Sequence, residues 1–140
     1  MALYPSQEWC EEWRTAVNDD AAVRATGARW GVDFNGNWLF EVTPGGGLED
    51  TVYIYLAVSA GECHEARMMN DPSGLDAGFH VIGSYADFKE VVKGERDFIA
   101  GVVKRRFRVQ GDVGKIMLHS RFVRAVANTF GAFESEYLGE

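Results

Sequence analysis

Few residues in this 140-residue chain have the means to do chemistry, and they are scattered. The densest group is Cys63-His64-Glu65. Thiolate, imidazole and carboxylate together are a transition-metal donor set. Their spacing argues against one site, because neighbouring side chains of a strand point to opposite faces. Cys63 and Glu65 then share a face and His64 points away. Nucleophilic catalysis needs Ser or Cys set beside His on a sharp turn. Ser59, Ser73, Ser84 and Ser120 lack that context, and no GxSxG run occurs. The glycine-containing stretches 31–36 and 44–47 are followed neither by Lys-Ser/Thr nor by a helix start, so they are not phosphate loops. The reading is of a protein that is not an enzyme: no catalytic residue, metal or cofactor is expected.

Two polar features remain. His119 falls within the apolar stripe of the last helix, flanked by Ile116, Phe122 and Val123. It reads either as the single polar anchor of an apolar pocket or as a core histidine bonded to a backbone carbonyl. Lys104-Arg105-Arg106 with Arg108 is the only basic cluster. It either meets a phosphate or lipid head group or forms a solvated edge that discourages strand pairing. With 14 basic against 21 acidic residues and a net charge of −7, nucleic acid is not an expected partner, since phosphate backbones require a basic footprint.

The elements that position these residues follow from spacing. Ser6 is a candidate N-cap for a helix whose Trp9, Trp13 and Val17 recur at i, i+4 and i+8. Asn18-Asp19-Asp20 ends it and can cap a second, short helix, Ala21–Thr26, with Gly27 at its end. Residues 30–42 read as strand, with Asn35-Gly36 marking either a hairpin or a bulge. After the turn 44–47, residues 51–59 (TVYIYLAVS) form the best strand of the chain, apolar on both faces. Residues 62–68 are an amphipathic strand, 70–77 a polar loop and 79–82 a short strand. Ser84 caps a helix over 85–93, Asp97 caps Phe98–Val103, and a strand over 107–110 precedes a last helix over 113–130. Residues 131–140 are expected to fray.

Strands joined by short turns pair antiparallel, so the pattern predicts one α+β domain with helices over one face of the sheet. On the last helix Leu118, Phe122, Val126, Phe130, Val123, Ile116 and Ala127 cover about half the circumference, wider than the stripe of roughly 100° that docking on a sheet demands. Such a helix either lies deep in the core or also closes over something greasy. Aromatic content of 13%, with four Trp and nine Phe, poses the same alternative of dense core or ligand cavity. No run approaches the roughly 18 apolar residues of a membrane span. The N-terminus lacks a signal segment, and the two cysteines, Cys10 and Cys63, are far apart. A cytoplasmic protein with free thiols is expected.

The run Ile82-Gly83-Ser84-Tyr85-Ala86-Asp87-Phe88, then Val91-Val92-Lys93-Gly94-Glu95, then Phe107-Arg108-Val109-Gln110-Gly111-Asp112 resembles the sterol-carrier-protein domain family. In that family a strand ends in a small pair and enters a helix, an apolar helix follows, and a strand and Gly-Asp turn lead to the final helix. The resemblance extends over residues 57–130. It implies a five-stranded, largely antiparallel sheet backed by helices and enclosing an apolar tunnel, with lipids or fatty-acyl molecules, such as fatty acids and acyl-CoA, as ligands. On that implication the cavity residues are Trp38, Phe40, Phe88, Val91, Phe98, Val102, Phe107, His119, Phe122 and Val126. Transient contact with a membrane surface and a homodimer stay open. The alternatives are an interaction or dimerisation module with Trp9 and Trp13 on its face and no cavity, or an accessory domain beside a lipid-processing enzyme.

Overall fold

The computed structural model describes residues 1–140. A strand β1 (Ala2–Tyr4) leads to helices α1 (Gln7–Asp19) and α2 (Ala21–Thr26). Strands β2 (Trp38–Thr43), β3 (Val52–Ser59), β4 (Glu62–Met69) and β5 (Phe79–Ser84) follow. Then come α3 (Tyr85–Val92), α4 (Phe98–Val103), β6 (Arg108–Gln110), α5 (Val113–Leu118), α6 (Ser120–Asn128), a 3-10 turn (Thr129–Ala132) and β7 (Ser135–Tyr137). Side-chain oxygens of Ser6, Asp20, Ser84, Asp97 and Asp112 accept the orphan N–H groups at five helix starts. Such caps fix where each helix begins.

The main sheet has the order β4-β3-β2-β5-β6. Neighbours are antiparallel except β2 and β5, which run parallel. The fold is the expected α+β type, with β2 at the centre. Register aligns the apolar side chains in rows: Leu56–Trp38–Phe79, Ile54–Phe40–Val81 and Val52–Val42–Gly83. These rows face the helices. The opposite face carries Glu41, Tyr53, Tyr55, Arg67 and His80, with His80 Nε2 and Glu41 Oε1 2.9 Å apart.

The structure departs from the sequence reading in five places. Residues 30–37 are turn and loop, not strand, because the Trp30 indole N–H donates to the Gly36 carbonyl at 2.8 Å and folds the segment back on itself. A Cβ at Gly36 would lie 2.5 Å from that indole nitrogen, so Asn35-Gly36 serves this close approach and not a hairpin. In β4 the register slips, Ala57 pairing Glu65 while Val58 pairs Cys63. His64 is the extra residue of a bulge, and a bulge swaps faces on one side of itself. Cys63 therefore turns inward with Ala66, and Glu65 does not share its face.

The last helix is broken at His119, which has φ −102° and ψ 31°. The break rotates the stripe and leaves Leu118 80% exposed. The final residues do not fray. Residues 135–137 pair in parallel with β1 as a second, two-stranded sheet, the Leu138 N–H donates to the Tyr85 hydroxyl, and Glu140 pairs with Lys89 and Lys93. Finally, Trp9 and Trp13 are 1% and 3% exposed, so they offer no dimer face.

Phe107 is clamped between two glycines. A Cβ on Gly83 would sit 2.5 Å from its ring, and one on Gly101 2.6 Å. With both sides closed the ring cannot yield. Gly83→Ala should lower stability by about 1–3 kcal/mol through overpacking, outweighing the smaller gain from a stiffer unfolded chain. The urea midpoint measures it, and Val103→Ala, at an exposed site of α4, should leave that midpoint nearly unchanged.

Candidate functional site

Around Trp30 the rings pack solidly. Trp38, Phe79, Phe122 and Phe34 lie with centroids 5.4, 5.1, 5.3 and 5.1 Å away, and Trp30 is wholly buried. Around Phe40 the spacing is wider: Trp13, Trp38, Phe88 and Phe98 stand at 6.0, 5.8, 6.0 and 6.5 Å. Phe40 lies on the central strand, on the helix-covered face, between buried Ile54 and Val81. Yet it keeps accessible surface. A side chain so placed stays accessible only if the space above it is unfilled.

That space is a cavity of about 60 Å³ lined by sixteen apolar or aromatic residues. β2 supplies Trp38 and Phe40, β3 Ile54 and Leu56, α3 Phe88, Val91 and Val92, and α4 Phe98. Phe122, Val123, Val126 and Ala127 come from α6, and Phe130 from the turn after it. Tyr4, Trp9 and Trp13 close the remaining side. The lining residues that keep the most accessible surface are Phe40, Val126, Ala127 and Phe130. Access therefore runs along α6.

Polar groups of neighbouring elements hold the walls. The Trp9 indole N–H donates to Ser135 Oγ at 2.9 Å and that of Trp13 to Thr129 Oγ1 at 3.1 Å. Asp97 caps α4 by accepting from the Ala100 N–H and also receives two N–H groups of Arg124 on α6, each at 3.3 Å. Partial burial alone would raise the Asp97 carboxyl, but the bonds from Arg124 and Ala100 outweigh it and hold it below its ordinary value. This carboxylate ties α4 to α6.

Of the ten residues inferred from the sequence, Trp38, Phe40, Phe88, Val91, Phe98, Phe122 and Val126 come together on this wall. Val102, Phe107 and His119 do not. Val102 is buried away from it, and Phe107 lies behind Phe88 and Phe98, at 4.7 and 5.4 Å. His119 sits at the α5–α6 break with its ring edge-on to Trp30 at 5.4 Å. Trp30 belongs to the solid cluster. Tyr4, Trp9, Trp13, Ile54, Leu56, Val92, Val123, Ala127 and Phe130 complete the wall. The i, i+4 spacing of Trp9 and Trp13 placed them on one face of α1, but nothing local announces that β1 brings Tyr4 to the same place.

The reactive residues are dispersed. His64 Nε2 and Ser59 Oγ are 2.9 Å apart at an exposed site. Burial pushes the Cys10 thiol up to about 12 and the Cys63 thiol to about 11. Thiols so raised are protonated at neutral pH and poor nucleophiles. Of the basic cluster, Arg106 pairs with Asp87, while Lys104, Arg105 and Arg108 are exposed and none of the four lines the cavity.

No family model and no curated protein matches the chain. Solved structures do. Sterol carrier protein 2 superposes with a TM-score of 0.77 at 16% identity, over 89% of this chain and 95% of that one. A conserved hypothetical protein from Thermus thermophilus, described as possibly a sterol carrier protein, gives 0.81 at 16% identity, over 94% and 90%. Sterol carrier protein domain 2 of Helicoverpa armigera gives 0.57 at 14%, over 97% and 99%. The chain thus has the sterol carrier protein 2 fold, and the resemblance read from residues 57–130 holds at the level of fold. No helix is long and apolar enough to cross a membrane.

Thr129→Val preserves shape while leaving the buried Trp13 N–H without a partner. It should cost about 1–3 kcal/mol in chemical denaturation. Ser135→Ala, at a site only partly buried, should cost less.

Proposed function

We propose that this protein binds a lipid or fatty-acyl molecule in the cavity over Phe40 and carries it without chemical change. The observation that supports this most directly is the accessible Phe40 ring on the covered face of the central strand, beneath walls made of apolar residues alone. The shared fold with sterol carrier protein 2 points the same way. Trp38, Phe40, Phe88, Val91, Phe98, Phe122 and Val126 are the proposed contacts from the first set, joined by Ile54, Val123, Ala127 and Phe130.

Size constrains the mechanism. An apolar cavity of roughly 150 Å³ holds one benzene-sized molecule, and the present one is about 60 Å³. A long hydrocarbon chain therefore has to widen it. The movable wall is α6, whose Val126 and Ala127 border the accessible side. Each buried methylene contributes about 0.8 kcal/mol, so a chain of a dozen carbons offsets both the displacement and the cost of association. Because this driving force lies in hydrocarbon and not in polar contacts, affinity should rise with chain length. An apolar ligand is taken up, held dry and released with its bonds unaltered.

Ala127→Trp should fill the accessible end and lower uptake of a fluorescent fatty acid at least tenfold, with an unchanged melting temperature. Phe122→Asp, stacked on Trp30 in the solid cluster, should instead unfold the protein. Mass spectrometry of the native protein before and after organic extraction checks the premise. A co-purified mass of a few hundred daltons is expected, and a protein that neither carries lipid nor takes up the probe would overturn the reading.

A further inference from the structure

Four lining side chains carry a polar atom: Tyr4, Trp9, Trp13 and Trp38. The indoles of Trp9 and Trp13 are spoken for by Ser135 and Thr129. The Tyr4 hydroxyl has no hydrogen-bond partner, although Tyr4 is only 2% exposed. A hydroxyl buried without a partner is costly. The enclosed polar side-chain atom that lacks both partner and accessible surface is Glu12 Oε2, on the acidic face of α1. The Tyr4 hydroxyl therefore keeps a little accessible surface, and the space that this buried residue borders is the cavity. Its ring is fixed edge-on to Trp9 at 4.6 Å and stacked with Tyr85 at 5.8 Å, so the hydroxyl cannot swing out to water. The Trp38 N–H also lacks a partner, but an indole only donates, whereas a phenol both donates and accepts.

Resting on the lipid-carrier reading above, we propose that Tyr4 is the polar anchor of this cavity. Its ligand then carries one uncharged hydrogen-bonding head, of the alcohol, ketone or ester class, buried at Tyr4 with its hydrocarbon over Phe40. The absence of any charged side chain from the wall gives the class. An ionised carboxylate or phosphate placed there would lose its hydration and meet no cation, a penalty far above that of a neutral head. Burial holds the phenol itself protonated well beyond neutral pH, so it can donate to a carbonyl. An anionic lipid can enter only with its head left in solvent at the α6 side, beyond reach of Tyr4.

The test uses delipidated protein and three ten-carbon probes, 1-decanol, decane and decanoate at pH 8. Binding is followed through the fluorescence of the wall tryptophans Trp9, Trp13 and Trp38. The native protein should bind 1-decanol at least tenfold more tightly than decanoate. Tyr4→Phe keeps the ring packing and should weaken 1-decanol about fivefold to tenfold while decane binds as before, which also shows that the variant is folded. Equal affinity of the native protein for decanoate and 1-decanol, or a Tyr4→Phe variant that weakens both 1-decanol and decane or neither, overturns the anchor. Failure of the native protein to bind any of the three is a different result and removes the carrier reading itself.

Discussion

The hollow over Phe40 persists because Trp9 and Trp13 are prevented from falling into it. Both indoles are large enough to fill the gap, and burying more ring surface would be favourable. They stay on the wall because each N–H is committed to an oxygen on the C-terminal segment, Ser135 or Thr129. Collapse would leave a buried donor unsatisfied, at a cost similar to what closer packing gains. The rest of the site follows. With the tryptophans held back, α6 rests across the opening without sealing it, and the central strand keeps an uncovered ring.

Two kinds of aromatic cluster thus stand side by side with nearly the same composition. The Trp30 cluster is tight because a glycine-lined loop folds onto the indole and Gly27 admits the Phe122 ring, which a Cβ would meet at 2.7 Å. The Phe40 cluster is open because its rings belong to α1, β2, α3 and α4, the helices fixed by their own caps and the strand by its pairing with β3 and β5. Close packing fails where such elements, already fixed elsewhere, meet around a shared centre.

Local signals were legible in the sequence. The caps at Ser6, Ser84 and Asp97, a cap within 18–20, and the stripe of Trp9, Trp13 and Val17 needed only short-range chemistry, and so did the strand read at residues 51–59. What stayed hidden depends on distant partners. The β1–β7 pair joins the two ends of the chain, and neither three-residue strand has a pattern of its own. The bulge at His64 and the break at His119 put the residues before them out of phase with those after. That is why Leu118, placed on the apolar stripe by simple periodicity, points to water, and why the Cys63 side chain turns inward. Composition left dense core and cavity as alternatives, and Tyr4 entered the wall through topology alone.

Because β7 holds a wall residue in place, the order of synthesis matters. The oxygen that restrains Trp9 is made 126 residues after the indole it receives. On a ribosome that adds residues one at a time, the sheet and its first helices emerge with those two indoles still free. For that interval nothing keeps the nascent interior from shutting on itself or from meeting other exposed apolar chains. A reversible, loosely packed early state, with the compartment established only once Thr129 and Ser135 have emerged, is what this late fastening imposes.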